Sequence, residues 1–183
     1  MEKELEYLEY TLEKYSEVIS DSKLKLSNLK ELYKGDLEGM IEEKFRLEKE
    51  IESINRASLS PYFGRIDFRS ENNNEKCYLG KLGVSDYDNN IITVDWRAPI
   101  ASLYYDSNVG DTSYISPEGE IKGKLLLKRQ YTIKDSKLID FNDVDTVSND
   151  ELLKPYLNAS ADNRLGIAGL NSTIISENCD NMK

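Results

Sequence analysis

The sequence predicts an α+β fold: an N-terminal antiparallel helical hairpin of coiled-coil type, a small, mostly antiparallel β-rich domain, and C-terminal helices. Two observations carry this. Apolar residues recur every three or four positions up to about residue 56, and then every second position in short runs separated by turn-forming clusters. The boundaries this implies are 1–57 for the hairpin, 58–147 for the β-rich domain and 148–183 for the C-terminal helices.

The first helix is marked by Leu5, Leu8, Leu12, Tyr15, Ile19, Ser22, Leu26, Leu29 and Tyr33, a heptad seam with one polar interruption. Gly35 follows, where a helix end needs a left-handed residue, and Asp36 is placed to accept the first free amides of a second helix. The chain is therefore predicted to reverse within 34–39. Leu37, Met40, Lys44, Leu47, Ile51 and Ile54, flanked by Ile41 and Phe45, form the returning seam. A helix of that size is roughly 30 Å long, and the charged faces opposite the seams predict an arm that projects from the body.

Beyond Ser60-Pro61, the runs Cys77–Leu82, Ile91–Trp96, Gly123–Ile133 and Leu138–Phe141 read as strands. Asp88-Asn89-Asn90, Pro117-Glu118-Gly119 and Lys134-Asp135-Ser136 read as turns between them. In the longest run Leu125, Leu127, Arg129, Tyr131 and Ile133 alternate onto one face. Arg129 is then an interior-side cation that requires a carboxylate or carbonyl partner in the β-rich body. From Ser148 the pattern turns helical again, through Leu152, Leu153 and Tyr156 and then Leu165 to Ile175, with Pro155, Gly166 and Gly169 shortening or weakening the helices.

The 183 residues carry a net charge of −10, divided evenly between the hairpin segment and the rest. Wrapping a nucleic-acid backbone needs clustered Lys and Arg, so direct nucleic-acid binding is not expected and a protein partner is. Cys77 and Cys179 stand alone and histidine is absent, which leaves no zinc-ligand pattern; both read as free thiols in a reducing cytoplasm. No run approaches the ~20 apolar residues of a membrane span, so a cytoplasmic location is expected.

Three strings then stand out: Ser60-Pro61-Tyr62-Phe63-Gly64-Arg65-Ile66-Asp67-Phe68; Val94-Asp95-Trp96-Arg97-Ala98-Pro99-Ile100 with Ser102 to Asp106; and Leu127-Lys128-Arg129-Gln130-Tyr131. With Tyr78-Leu79-Gly80 and Asp150 to Leu153, their order and spacing resemble the region that precedes the nucleotide site in HelD-type proteins. These are UvrD-like superfamily 1 motor ATPases that recycle bacterial RNA polymerase. The resemblance covers about residues 58–177. It implies a helical hairpin that enters a polymerase channel, followed by the start of a RecA-like motor domain. It departs from the family near the end, where Ile175 and Asn178 occupy positions at which glutamine is expected.

The family's catalytic motifs lie downstream of this region, and no GxxxxGK[ST] phosphate loop occurs in the sequence. No catalytic, cofactor-binding or metal residue is assigned, and no cofactor is expected. Pro61, Tyr62, Phe63, Gly64, Arg65, Asp95, Trp96, Arg97, Pro99, Lys128 and Arg129 are read as structural: core aromatics, turn or irregular-strand glycines, and ion pairs or a surface for the remainder of the motor. Asp36 and Glu38 at the hairpin tip are the candidate partner-binding residues. The leading expectation is a non-catalytic interaction module that binds RNA polymerase or the rest of a helicase-like motor. The alternatives are the N-terminal fragment of an ATP-dependent DNA helicase that needs a missing motor remainder, and a structural coiled-coil protein that dimerises through Leu5 to Ile19.

Overall fold

A computed structural model of the protein describes residues 1–71 and 73–144. The helices predicted for 148–183, and Cys179 with them, lie outside the described residues. Helix α1 spans Glu2–Ser27, a short α2 spans Leu29–Leu32, and α3 spans Leu37–Ser58. The strands are β1 Gly64–Ser70, β2 Asn74–Gly80, β3 Val84–Ser85, β4 Ile91–Asp95, β5 Gly110–Ser116, β6 Gly119–Lys134 and β7 Lys137–Asp143. A 3-10 turn at Pro99–Ala101 leads into α4, Ser102–Asp106, between β4 and β5.

The reversal falls where expected. Gly35 adopts φ +88, a left-handed conformation that a side chain would resist, and the Asp36 carboxylate accepts the Gly39 amide at 2.9 Å to start α3. Leu29 and Leu47 are buried at seam positions, and Ser22 Oγ donates across the hairpin to Glu50 at 2.9 Å.

The sheet has seven strands in the order β3-β4-β2-β1-β6-β5, with β7 also paired to β6. Every pairing is antiparallel except β2 with β4. The β6–β7 turn holds Asp135 and Ser136 at φ 48 and 60, the geometry of a two-residue hairpin loop that follows the sheet's twist.

Three expectations are corrected. The hairpin does not project from its base: α1 is laid against the sheet, where Leu8 packs with Tyr62, Tyr78, Tyr131 and Ile133, and Tyr15 and Ile19 pack with Ile54, Val84 and Ile92. Contact continues as far as Lys25, whose ammonium lies 5.9 Å from the Tyr87 ring centroid. The α1 seam is rotated accordingly, so Glu4 and Thr11 are buried while Leu5 is 40% exposed. Leu8, Tyr15 and Ile19 are thus taken up in this chain's own core and are not free to form a dimer seam.

The second correction concerns β6. Its register with β1 slips beside Leu126, because Asp67 pairs with Leu127 and Phe68 with Leu125. A bulge of one residue reverses side-chain parity. Leu125 therefore shares a face with Lys128, opposite the one that carries Arg129. The third correction is one of omission: β1, β3, β5 and α4 were not anticipated. In β1 the alternation of Arg65, Asp67 and Arg69 with Ile66 and Phe68 is the signal that reveals it.

Candidate functional site

The three marked strings converge on the middle of the sheet. The Phe63 amide donates to the Leu79 carbonyl at 2.9 Å, the Tyr131 amide to Phe63 at 2.8 Å, and the Trp96 amide to Gly80 at 3.0 Å. Gly64 and Gly80 are strand residues at close approaches. A Cβ at Gly64 would sit 2.7 Å from the Tyr104 ring, and one at Gly80 only 2.3 Å from the Pro61 carbonyl oxygen. Pro61, Tyr62 and Phe63 are buried, and Pro99 opens the 3-10 turn, where its missing N–H costs nothing.

On the face toward α1 lies an ion-pair centre. Glu4 accepts from Arg65 at 3.1 Å, from Arg129 at 2.6 Å and from the Tyr131 hydroxyl. Arg65 also forks onto Asp67, at 2.7 Å through each of two nitrogens, and Arg129 forks onto Asp143 at 2.5 and 3.0 Å. Arg129 thus has its carboxylate in the β-rich body, Asp143 of β7, and a second one in the hairpin. The Arg129 bond holds the Asp143 carboxyl below its usual range despite partial burial. Around this centre Tyr7 stacks on Tyr78 at 3.6 Å, and Tyr62 meets Tyr78 and Tyr131 edge-on at 5.0 and 5.1 Å. Burial pushes the phenols of Tyr7, Tyr62 and Tyr131 far up, so all stay neutral.

On the opposite face Lys128 is 1% exposed. Its ammonium donates to the Ser107 carbonyl and, at 3.3 Å, to Tyr104, so it closes the C-terminal end of α4. Burial lowers its pKa to about 8 against the opposing pull of Asp106. Asp95 and Arg97 pair with each other at 2.8 Å on the surface, where the bond from Arg97 lowers the Asp95 pKa. Asp95, Arg97, Lys128 and Arg129 therefore serve three separate places rather than one network. Trp96 meets Tyr105 edge-on at 6.5 Å.

Burial raises the Cys77 thiol pKa to about 12, which makes it a poor nucleophile. Among the described residues no group of three or more Cys, Asp or Glu is placed to hold a metal, and no helix is long and apolar enough to cross a membrane. The Tyr62 and Tyr104 hydroxyls are buried without a hydrogen-bond partner among the described residues.

At the hairpin tip Asp36 is the cap of α3, and Glu38 is exposed in the first turn. Beside them stand apolar side chains that the periodicity places at the seam or its flank but that are exposed: Leu37 at 67%, Ile41 at 57% and Phe45 at 68%. Leu47 and Ile54 are the seam residues of α3 that are buried.

No curated protein matches the chain. Among solved structures 11 chains match, including "Structure of the transcription factor Gfh1", similar at 17% identity over 67% of this chain and 90% of that one. Its TM-score is 0.28, too low to equate the two folds. The family model described as DNA helicase IV HelD, N-terminal domain, matches residues 1–159, which span the hairpin and the sheet. With the family's motif strings gathered at the centre of that sheet, the chain belongs to the HelD N-terminal domain family.

Proposed function

We propose that the chain is a non-catalytic protein-interaction module that binds RNA polymerase, or the remainder of a helicase-like motor, in the cytoplasm. In this reading residues 1–57 are the arm, 58–147 the body that carries it, and 148–183 the start of an incomplete RecA-like domain. The observation that supports it best is the hairpin. Its base is fastened into the sheet through Glu4, while its tip presents Asp36 and Glu38 outward on the capped start of α3. A rooted arm with a solvated end suits contact with a large partner. The sequence has no phosphate loop, so ATP has no role in the contact.

Asp36 and Glu38 are assigned as partner contacts because channels that admit substrates or magnesium favour entering carboxylates. Binding of the intact chain to purified bacterial RNA polymerase core, with and without ATP, tests this. Asp36→Lys with Glu38→Lys is expected to weaken the complex and flatten its salt dependence, and ATP is expected to change nothing. No binding of the wild-type chain refutes the polymerase reading.

The family description favours a second reading, the front of an ATP-dependent DNA helicase that works only with its motor remainder. Restoration of DNA-dependent ATPase activity on adding that remainder distinguishes it.

A further inference from the structure

The apolar flank of α3 is not needed by the hairpin. Leu29, Leu47 and Ile54 fill the contact between the helices, yet Leu37, Ile41 and Phe45 remain mostly in solvent. Their spacing of four places them in one stripe along two turns of helix, starting at the tip. Further along the same flank the stripe ends, because Lys49 and Ser53 occupy the next positions at that spacing, with Glu48 and Glu52 beside them. Single exposed apolar residues need no explanation, but three large ones adjacent on one helix flank, in a chain this acidic, form a patch.

The rim of the stripe selects its occupant. Glu38, Glu42 and Glu48 border it and are exposed, as are two lysines, Lys44, 3.8 Å from Glu48, and Lys49, so acids outnumber bases on the rim. A second copy of this chain would set these carboxylates against their like. Anionic lipid and nucleic-acid phosphate would be repelled in the same way.

We propose that Leu37, Ile41 and Phe45 are the anchor residues of the interaction module, seated in an apolar groove of a partner protein whose rim carries lysine or arginine. This rests on the interaction reading above and moves the main contact from the tip carboxylates to the helix flank. A helix laid into a groove through residues four apart is a common mode of recognition, in which a few large buried side chains carry most of the affinity. The surrounding glutamates steer the approach and exclude wrong partners.

The experiment compares the intact chain with a variant carrying Leu37→Ser, Ile41→Ser and Phe45→Ser, and with the Asp36→Lys, Glu38→Lys variant. Circular dichroism of the serine variant is expected to match wild type, because all three side chains are exposed. One probe is purified bacterial RNA polymerase core. The other is a labelled synthetic helix with a leucine face bordered by lysines. The serine variant is expected to lose about tenfold or more in affinity for both probes.

Equal binding of polymerase by wild type and the serine variant overturns the proposal, and if the lysine variant alone fails, the tip-carboxylate reading stands without it. If wild type does not bind polymerase, the polymerase reading falls and the synthetic helix decides. A preference for wild type over the serine variant then sustains the stripe, whereas equal or absent binding overturns it. Dimerisation in sedimentation, or binding to phosphatidylglycerol vesicles, that disappears in the serine variant assigns the stripe to another occupant and overturns the proposal too.

Discussion

Arg129 of β6 and Glu4 of α1 are 125 positions apart in the chain and joined by a 2.6 Å ion pair. The same Glu4 carboxylate takes Arg65 and Tyr131, so one buried acid at the start of the first helix fixes that helix on the sheet. Replacing Glu4 by Ala leaves two guanidinium groups facing a dry site with only Asp67 and Asp143 to balance them. The expected loss of stability is about 2–4 kcal/mol, measured by denaturant unfolding. Arg129→Met is expected to cost less than Arg129→Ala, because the stem still packs over Phe141, whose ring centroid is 4.8 Å from the guanidinium.

Lys128 predicts a pH dependence of definite sign. Its folded pKa of about 8 lies below the ordinary lysine value, so the unfolded chain binds more protons than the folded one between about pH 8 and the ordinary lysine range. Stability from this group therefore rises with pH across that interval and is flat below it. The buried tyrosines act in the opposite sense at the upper end, since their raised pKa values make folding lose stability once the unfolded phenols ionise. The useful window is the lower part, near pH 8 to 9.5. Thermal melts of wild type against Lys128→Met are expected to show a rising difference there; parallel curves would refute the assignment.

The distal hairpin is held by Leu29 and Leu47, exposed by 5% and 1%. Leu47→Asp puts a carboxylate into that contact at a cost of about 3 kcal/mol or more. The far end should unzip while Glu4, Leu8 and Tyr15 keep the base in place. Loss of helical circular dichroism with unchanged Trp96 fluorescence is the expected result.

Gly80→Ala tests the close approach between β2 and the Pro61 segment. A Cβ there meets a backbone oxygen at 2.3 Å, which no rotamer relieves. A loss of about 1–3 kcal/mol in chemical denaturation is expected.

Titration with millimolar ATP is expected to give no saturable heat in calorimetry. The sequence contains no GxxxxGK[ST] string, the loop whose backbone amides and lysine hold a triphosphate, and a net charge of −10 repels it.

The two hairpin helices, their reversal at Gly35-Asp36, the long β6 and the β6–β7 turn were legible in the sequence. Period, capping chemistry and turn residues are local properties, and they act before the chain meets itself. What lies against what was decided elsewhere. The seam of α1 reads as a coiled-coil stripe, but the sheet offers it a larger aromatic surface and Arg65 and Arg129 offer Glu4 its partners. The helix rotates, buries Glu4 and leaves Leu5 in solvent. Strict alternation in β6 places Leu125 beside Arg129, yet a single extra residue in the β1 register sends Leu125 to the face of Lys128. The family strings were visible as strings, but only the folded sheet put Pro61 against Gly80 and Gly64 against Tyr104. Propensity and period thus determined the elements. Faces and partners were decided by long-range packing and charge pairing, whose energies depend on residues as many as 127 positions away.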